Sequence, residues 1–179
     1  TDTEFRHFTP LYYDRMMGVC EVLFYLHGMG PGSDWATELR PGSRCKLMGP
    51  GGRMKFRKEA TAHFVFGDET SLGLASHLHK AAWAYGQPFS CLLELADDHK
   101  DWPELIELPA TPLPENVSNI PWILKQMNWA PVVDKCLPAY YLTGRAAGIK
   151  TIMQTLKDRG VAAKQIQTFP YWSQGKRGL

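Results

Sequence analysis

Residues 22–42, "VLFYLHGMGPGSDWATELRPG", set an apolar run directly against a glycine-rich turn and a short segment of helical composition. A strand that stops at His27, a bare backbone through Gly28, Gly30 and Gly32, and a cap from Ser33 or Asp34 onto a helix through Glu38 would leave amide N–H groups facing outwards. A phosphate at such a helix N-terminus gains hydrogen bonds and the field of the helix dipole. The pattern is neither GxGxxG nor GxxxxGK[ST], and Pro31 removes one donor, so an ordinary loop fits these residues as well. A second stretch, "GPGGRMKFRK" from Gly49 to Lys58, puts Arg53, Lys55 and Arg57 on one face of an extended segment. That face suits an anionic ligand, and a solvated basic linker is the alternative.

"FGDETS" and "LTGRAAG" place Gly67–Thr70 and Thr143–Arg145 where a parallel strand meets a helix, the edge at which open α/β sheets bind their ligands. Asp68 and Thr70 serve equally well as helix caps, with Glu69 and Arg145 as exposed charges. The histidines carry less. His77 and His79 are two apart on a helix and so point to different faces, while His27, His63 and His99 have no partner at metal-ligand spacing. Asp97 and Asp98 end a strand rather than form an acid/base couple. Trp172, in the polar segment "FPYWSQGKRG" with Lys176 and Arg177, is the tryptophan placed to line a ligand site.

The elements that must position these groups change character along the chain. "EFRHFTPLYY" and "GVCEVLFYLHG" are aromatic and β-branched runs joined by "DRMMG", which reads as a hairpin, and "RCKLMG" adds a short strand after "RPGS". "AHFVFG" is an apolar strand, followed by a helix with Leu72, Leu74, Ala75, Leu78, Ala82 and Trp83 on its apolar positions. "PFSCLLELADD" is a second strand, and "PAYYLTGRAAGIKTIMQTLKDRG" repeats strand, glycine turn and helix, with Gly160 just past the helix end. Strands alternating with helices imply an open parallel sheet. The intervening proline- and aromatic-rich "PATPLPENVSNIPWILKQMNWAPVVDKC" reads as an irregular connection with one short helix. The fold class is therefore a β-domain through about Gly52, a sheet or a partial antiparallel β-barrel, followed by an α/β domain.

Composition bounds the function. With 179 residues, 44% of them hydrophobic, and a net charge of +2, the chain can bury a sizeable core and lacks the strong basicity of a nucleic-acid binder. Four cysteines, with no CxxC pair, favour a reduced, cytoplasmic protein, and no apolar run approaches the ~20 residues that cross a membrane.

Taken in order, "RHFTP", "LHGMGPGSDWA", "RPGS", "GPGG", "FGDETSLGLA", "LTGRAAGIKTIMQTLKDRG" and "PYWSQG" resemble the siderophore-interacting protein family, FAD-containing, ferredoxin-reductase-like ferric-siderophore reductases. The resemblance implies that residues 1–55 are the C-terminal part of an FAD-binding β-barrel and residues 60–179 an NAD(P)H-binding α/β domain. Arg6, Phe8 and Thr9 match its flavin signature: the arginine for the cofactor phosphate, the ring for the flavin, the hydroxyl for its reactive edge. His27, Gly28, Gly32, Ser33 and Trp35 match the loop that holds the FAD diphosphate. Gly67, Asp68, Glu69 and Thr70 match the first turn of the nicotinamide nucleotide domain. Thr143, Gly144 and Arg145 match a later one, where the family more often has Ala-Gly-Glu and where a cation suits a nucleotide phosphate.

The implied reaction passes a hydride from NAD(P)H to FAD and single electrons to chelated Fe(III), with no obligatory protein acid or base. Arg53, Lys55, Lys176 and Arg177 are the residues expected to attract the ferric siderophore. The family carries several strands before its flavin signature, whereas Arg6 stands almost first here. The readings are a fragment, a partner or missing N-terminal segment that completes the barrel, or a non-catalytic nucleotide- or siderophore-binding module that has lost flavin.

Overall fold

The structure, a computed structural model, describes residues 6–28, 30–48, 54–114 and 137–175. Strands β1 (Pro10–Asp14) and β2 (Val19–Val22) form an antiparallel hairpin. Its turn is closed by the Asp14 carboxylate, which accepts from the backbone N–H of Met16 and Met17 at 2.8 and 2.9 Å. Helix α1 (Pro31–Glu38) follows. The rest of the described chain is β3 (His63–Asp68), α2 (Leu72–Ala84), β4 (Phe89–Leu95), α3 (Trp102–Leu105), β5 (Thr111–Pro114), β6 (Ala139–Arg145), α4 (Ala146–Asp158) and β7 (Ile166–Trp172).

Strands β3 to β7 make one parallel sheet in the order β5-β4-β3-β6-β7. The chain enters at the centre with β3, works outward to β5, then returns to the other side of β3 with β6. That reversal creates a topological switch point between the carboxyl ends of β3 and β6. Strand alternation divides the core between the two faces. Val65, Leu93 and Tyr141 face α2 through Leu72, Ala75 and Leu78. Phe66, Leu92 and Leu142 face α4 through Ile149, Ile152 and Leu156. The sheet is therefore buried between helices on both sides, which is why its central strands read as continuous apolar runs.

Several expectations are corrected. Of the barrel, only the β1–β2 hairpin is present among the described residues. No strand forms at Arg44–Met48, where every residue is exposed and alternation has no buried face to satisfy. Trp83 is 81% exposed. It lies one position past buried Ala82, about 100° round the helix and off the core stripe. The stretch read as irregular contains β5, and the start of the polar stretch around Trp172, residues 169–172, is the end of β7. In the order of the described strands both lie at an edge, where Pro112, Pro114 and Pro170 are tolerated because one side of the backbone has no described partner strand to bond. The helix expected within residues 109–136 falls largely outside the described residues.

The segment before β3 is sewn to the sheet by a polar chain. Gln87 Nε2 donates to the carbonyls of Lys58 and Ala60, both at 2.7 Å, so its Oε1 is left to accept from His63 Nε2–H at 2.8 Å. His63 Nδ1 then accepts from the Tyr141 hydroxyl at 3.2 Å, and that oxygen accepts from Arg57 N–H at 3.0 Å. Every group is satisfied with His63 neutral. Burial accordingly holds His63 below its ordinary pKa of 6.5. The unfolded chain takes up a proton here before the folded chain does. Stability is therefore lost as pH falls below about 6.5 and the loss levels off below the folded pKa. Urea unfolding of wild type and His63→Gln across pH 7.5 to 5 should show a shallower pH dependence in the variant; parallel curves would exclude His63 from the acid response.

Candidate functional site

The first group of residues gathers around the N-terminus of α1. Gly30 at φ 93° is its N-cap and Pro31 its first residue, pre-set for the helix at a position whose N–H would have no intrahelical partner. Ser33 and Asp34 are therefore inside the helix and not its cap. Ser33 is buried, and its Oγ accepts from Gly28 N–H at 3.1 Å, which folds the glycine turn back onto the first helical turn. Arg6 and Phe8 lie against the same turn: a Cβ built on Gly32 would come 3.5 Å from Arg6 Cγ and 3.6 Å from Phe8 Cζ. Phe8 packs edge-to-face on Phe24 at 4.8 Å, and Phe24 on Trp35 at 5.8 Å. A guanidinium side chain, the donors of an opening helix turn and half-exposed aromatic rings are thus in one place, a set that fits an anionic, aromatic cofactor such as FAD. His27 is exposed, its ring 5.7 Å from that of Tyr25.

The second group sits at the switch point. Asp68, at the end of β3, is 4% exposed. Its Oδ1 accepts from the Thr70 backbone N–H at 3.0 Å and from the Thr70 hydroxyl, and its Oδ2 accepts from Trp172 Nε1–H at 2.8 Å. Burial, only partly offset by these bonds, raises the Asp68 pKa. Gly144 at φ 82° closes the end of β6 against this carboxylate, and any Cβ there would collide with it. Thr143 is buried beneath, its hydroxyl donating to the Phe66 carbonyl at 3.3 Å.

Glu69 and Arg145, read as exposed charges under the capping alternative, are both engaged inside the protein. Glu69 is buried, and its Oε1 accepts from Ala96 N–H at 2.9 Å and lies 2.9 Å from His99 Nδ1, bracing the loop after β4. Arg145 Nη2 donates to both carboxylate oxygens of Glu94 at 2.9 Å, with side chains 21% and 3% exposed. Glu94 also reaches the first turn of α4: a Cβ on Gly148 would stand 2.9 Å from its Oε2. The cation that seemed suited to a nucleotide phosphate is committed to a carboxylate of its own chain. Sequence reasoning passed over Glu94; its signal was a single acid inside the apolar run "LLEL".

Contacts on two flanks join the groups. Thr9 Oγ1 and the Tyr171 hydroxyl are 3.3 Å apart, tying the segment before β1 to β7, and the Thr9 carbonyl approaches α2 so closely that a Cβ on Gly73 would lie 2.8 Å from it. On the other flank Tyr25 packs edge-on against His99 and Trp102, which stack at 3.9 Å. Of the four basic residues expected to attract the siderophore, only Lys55 lies among the described residues, and it is not gathered with these groups. Lys55 is exposed, its backbone clamped in both directions by the Gln167 side chain at 2.9 and 2.8 Å, near the start of β7. That is about 17 Å along the strand from Trp172. Arg53, Lys176 and Arg177 lie outside the described residues.

An antiparallel hairpin and glycine turn set against the carboxyl edge of a parallel sheet define a ferredoxin-reductase-like arrangement. Residues 2–54 match the siderophore-interacting FAD-binding domain, and the resemblance to the siderophore-interacting protein family is thereby shown. Among solved structures the chain is similar to a siderophore utilization protein from T. fusca, with TM-score 0.70 and 25% identity over 97% of this chain and 68% of that one. It shares its fold with the siderophore-interacting protein SipS from Aeromonas hydrophila (TM-score 0.69, 20% identity, 94% of this chain and 73% of that one). The same holds for the siderophore-interacting protein from Acinetobacter baumannii (TM-score 0.62, 16% identity, 95% and 70%). No curated protein sequence matches it. No described helix is long and apolar enough to cross a membrane.

Proposed function

We propose that the chain serves as an FAD-dependent ferric-siderophore reductase that draws on NAD(P)H in the cytoplasm, with residues 1–55 contributing to the flavin site and residues 60–179 to the nucleotide site. The observation that carries this reading is the bond between Thr9 and Tyr171, which sets the matched FAD-binding segment directly on the sheet edge that carries the switch point. FAD when bound supplies the chemistry, accepting two electrons with a hydride and passing them singly to two Fe(III).

The chain's own residues bind and orient. Arg6 neutralises a diphosphate beside the first-turn donors of α1, Gly32 leaves that approach clear, and Phe8 and Trp35 supply aromatic surface. Gly67 and Gly144 make room at the carboxyl ends of β3 and β6 for the Ser71, Thr143 and Asp68 side chains that pack over them, which shapes the switch point against which a dinucleotide would lie. An anionic ferric chelate would be drawn by cations such as Lys55.

The test is an absorbance spectrum of the protein loaded with FAD and freed of excess, followed by anaerobic NADH or NADPH and a ferric chelate with an Fe(II)-trapping dye. Retained flavin bands, bleaching and trapped Fe(II) are expected; a protein that stays colourless refutes the reductase reading for this chain. In the same titration Arg6→Ala should weaken FAD binding by about tenfold or more, the cost of losing a charge-assisted phosphate contact. Unchanged affinity would remove Arg6 from the site.

A further inference from the structure

Trp172 ends β7, the outermost strand on its side, yet its indole N–H bonds Asp68 at the end of β3, two strands away. The side chain must therefore cross the end of β6, where Trp172 is the register partner of Arg145 and the preceding residue, Gly144, has no side chain and abuts the same Asp68 carboxylate. The indole spans the switch point. It remains 40% exposed, so whatever enters the crevice between β3 and β6 meets its ring. Asp68 is nearly inaccessible, and both its oxygens are committed within the protein. It is poorly placed to bind a ligand and well placed to hold a side chain that does.

We propose that Trp172 is a stacking wall of the nicotinamide dinucleotide site and that Asp68 is the positioning residue that fixes it there. This rests on the nucleotide-binding reading above and adds a division of labour to it: the aromatic ring touches the ligand, and the carboxylate acts only through the ring. A ring held in place before binding loses little freedom when a flat heteroaromatic group stacks on it, so breaking the tether weakens binding even though no ligand contact is removed.

The two carboxylate oxygens have separate duties, which makes the tether separable. Asn at 68 can keep a carbonyl oxygen towards Thr70, preserving that turn, but then turns an NH₂ donor towards the indole N–H, which cannot accept it. Trp172→Phe leaves Asp68 untouched and retains a ring without the donor. Calorimetric titration of the 179-residue chain with NAD⁺ and with NADP⁺ should give binding about tenfold weaker for Trp172→Ala and for Asp68→Asn, with Trp172→Phe between these and wild type. In the Trp172→Phe background Asp68→Asn should add almost nothing. A purely structural loss would add in full. Dinucleotide should also quench indole emission in wild type by an amount missing from Trp172→Phe.

Wild-type affinity in Trp172→Ala and Asp68→Asn, or full additivity in the double variant, overturns the proposal while leaving the nucleotide site standing. Failure of wild type to bind either dinucleotide overturns both, with retained FAD then showing that the flavin assignment survives. Should Asp68→Asn not fold, Trp172→Ala decides: wild-type affinity there rejects the stacking wall, and about tenfold weaker binding, with the quenching lost in Trp172→Phe, supports it.

Discussion

Arg145→Ala should cost the protein about 3 kcal/mol of stability, one of the largest effects of any single substitution outside the apolar core. Glu94 is 3% exposed and faces the first turn of α4, and the substitution strips it of two charge-assisted bonds. The pair is not a large net source of stability when intact, because both partners were desolvated to form it; the penalty belongs to the charge left behind. A second change, Glu94→Gln, added to Arg145→Ala should therefore recover part of the loss by removing that charge. Urea unfolding of the two variants against wild type checks both points, and an Arg145→Ala midpoint equal to wild type would show that Glu94 finds an equivalent partner.

Gly144→Ala should be comparably damaging for a different reason. Its φ of 82° lies in the region that costs an L-residue about 1–2 kcal/mol, and the new methyl group would strike the Asp68 carboxylate, itself fixed by Thr70 and Trp172. Strain and overpacking together reach about 3 kcal/mol. Gly160 supplies the control: its φ is 80°, but nothing lies within 4 Å of a built Cβ, so Gly160→Ala should show the backbone part alone. Equal losses in the two variants would mean that the Asp68 turn yields freely.

The central part of the fold was legible in the sequence because its signals are local. β3, β4 and β6 are apolar runs bounded by turns, and α2 and α4 show an apolar stripe that both packs on the sheet and identifies the face it covers. β5 and β7 were missed because an edge strand buries little and tolerates proline, so "TPLP" and "IQTFPYW" resemble loops until their neighbours are known. Of the site, the glycine turns and the Asp-Glu-Thr turn could be located, but not what their side chains do. Thr9 and Tyr171 are 162 residues apart, and Asp68 and Trp172 are 104 apart. No spacing rule joins such pairs; only the sheet order does. For the same reason the sequence leaves Glu69 and Arg145 open between ligand-site residues and solvent charges, since burial of an ionised group depends on a partner supplied from elsewhere in the chain.

The prolines that hid the two edge strands have a consequence for how the molecule behaves among copies of itself. A proline cannot donate to the strand it pairs with, so Thr111 and Leu113 supply the donors from β5 to β4, and the nitrogens of Pro112 and Pro114 face outward; Pro170 on β7 is turned outward likewise. On β5 both outward nitrogens belong to proline rings, and on β7 a ring replaces the N–H at Pro170, while Ile166 and Thr168 on the same side keep theirs. Stacking of sheets edge to edge, the usual first step towards fibrils from an α/β protein that opens at its border, is interrupted at each end by the covalent structure of the chain.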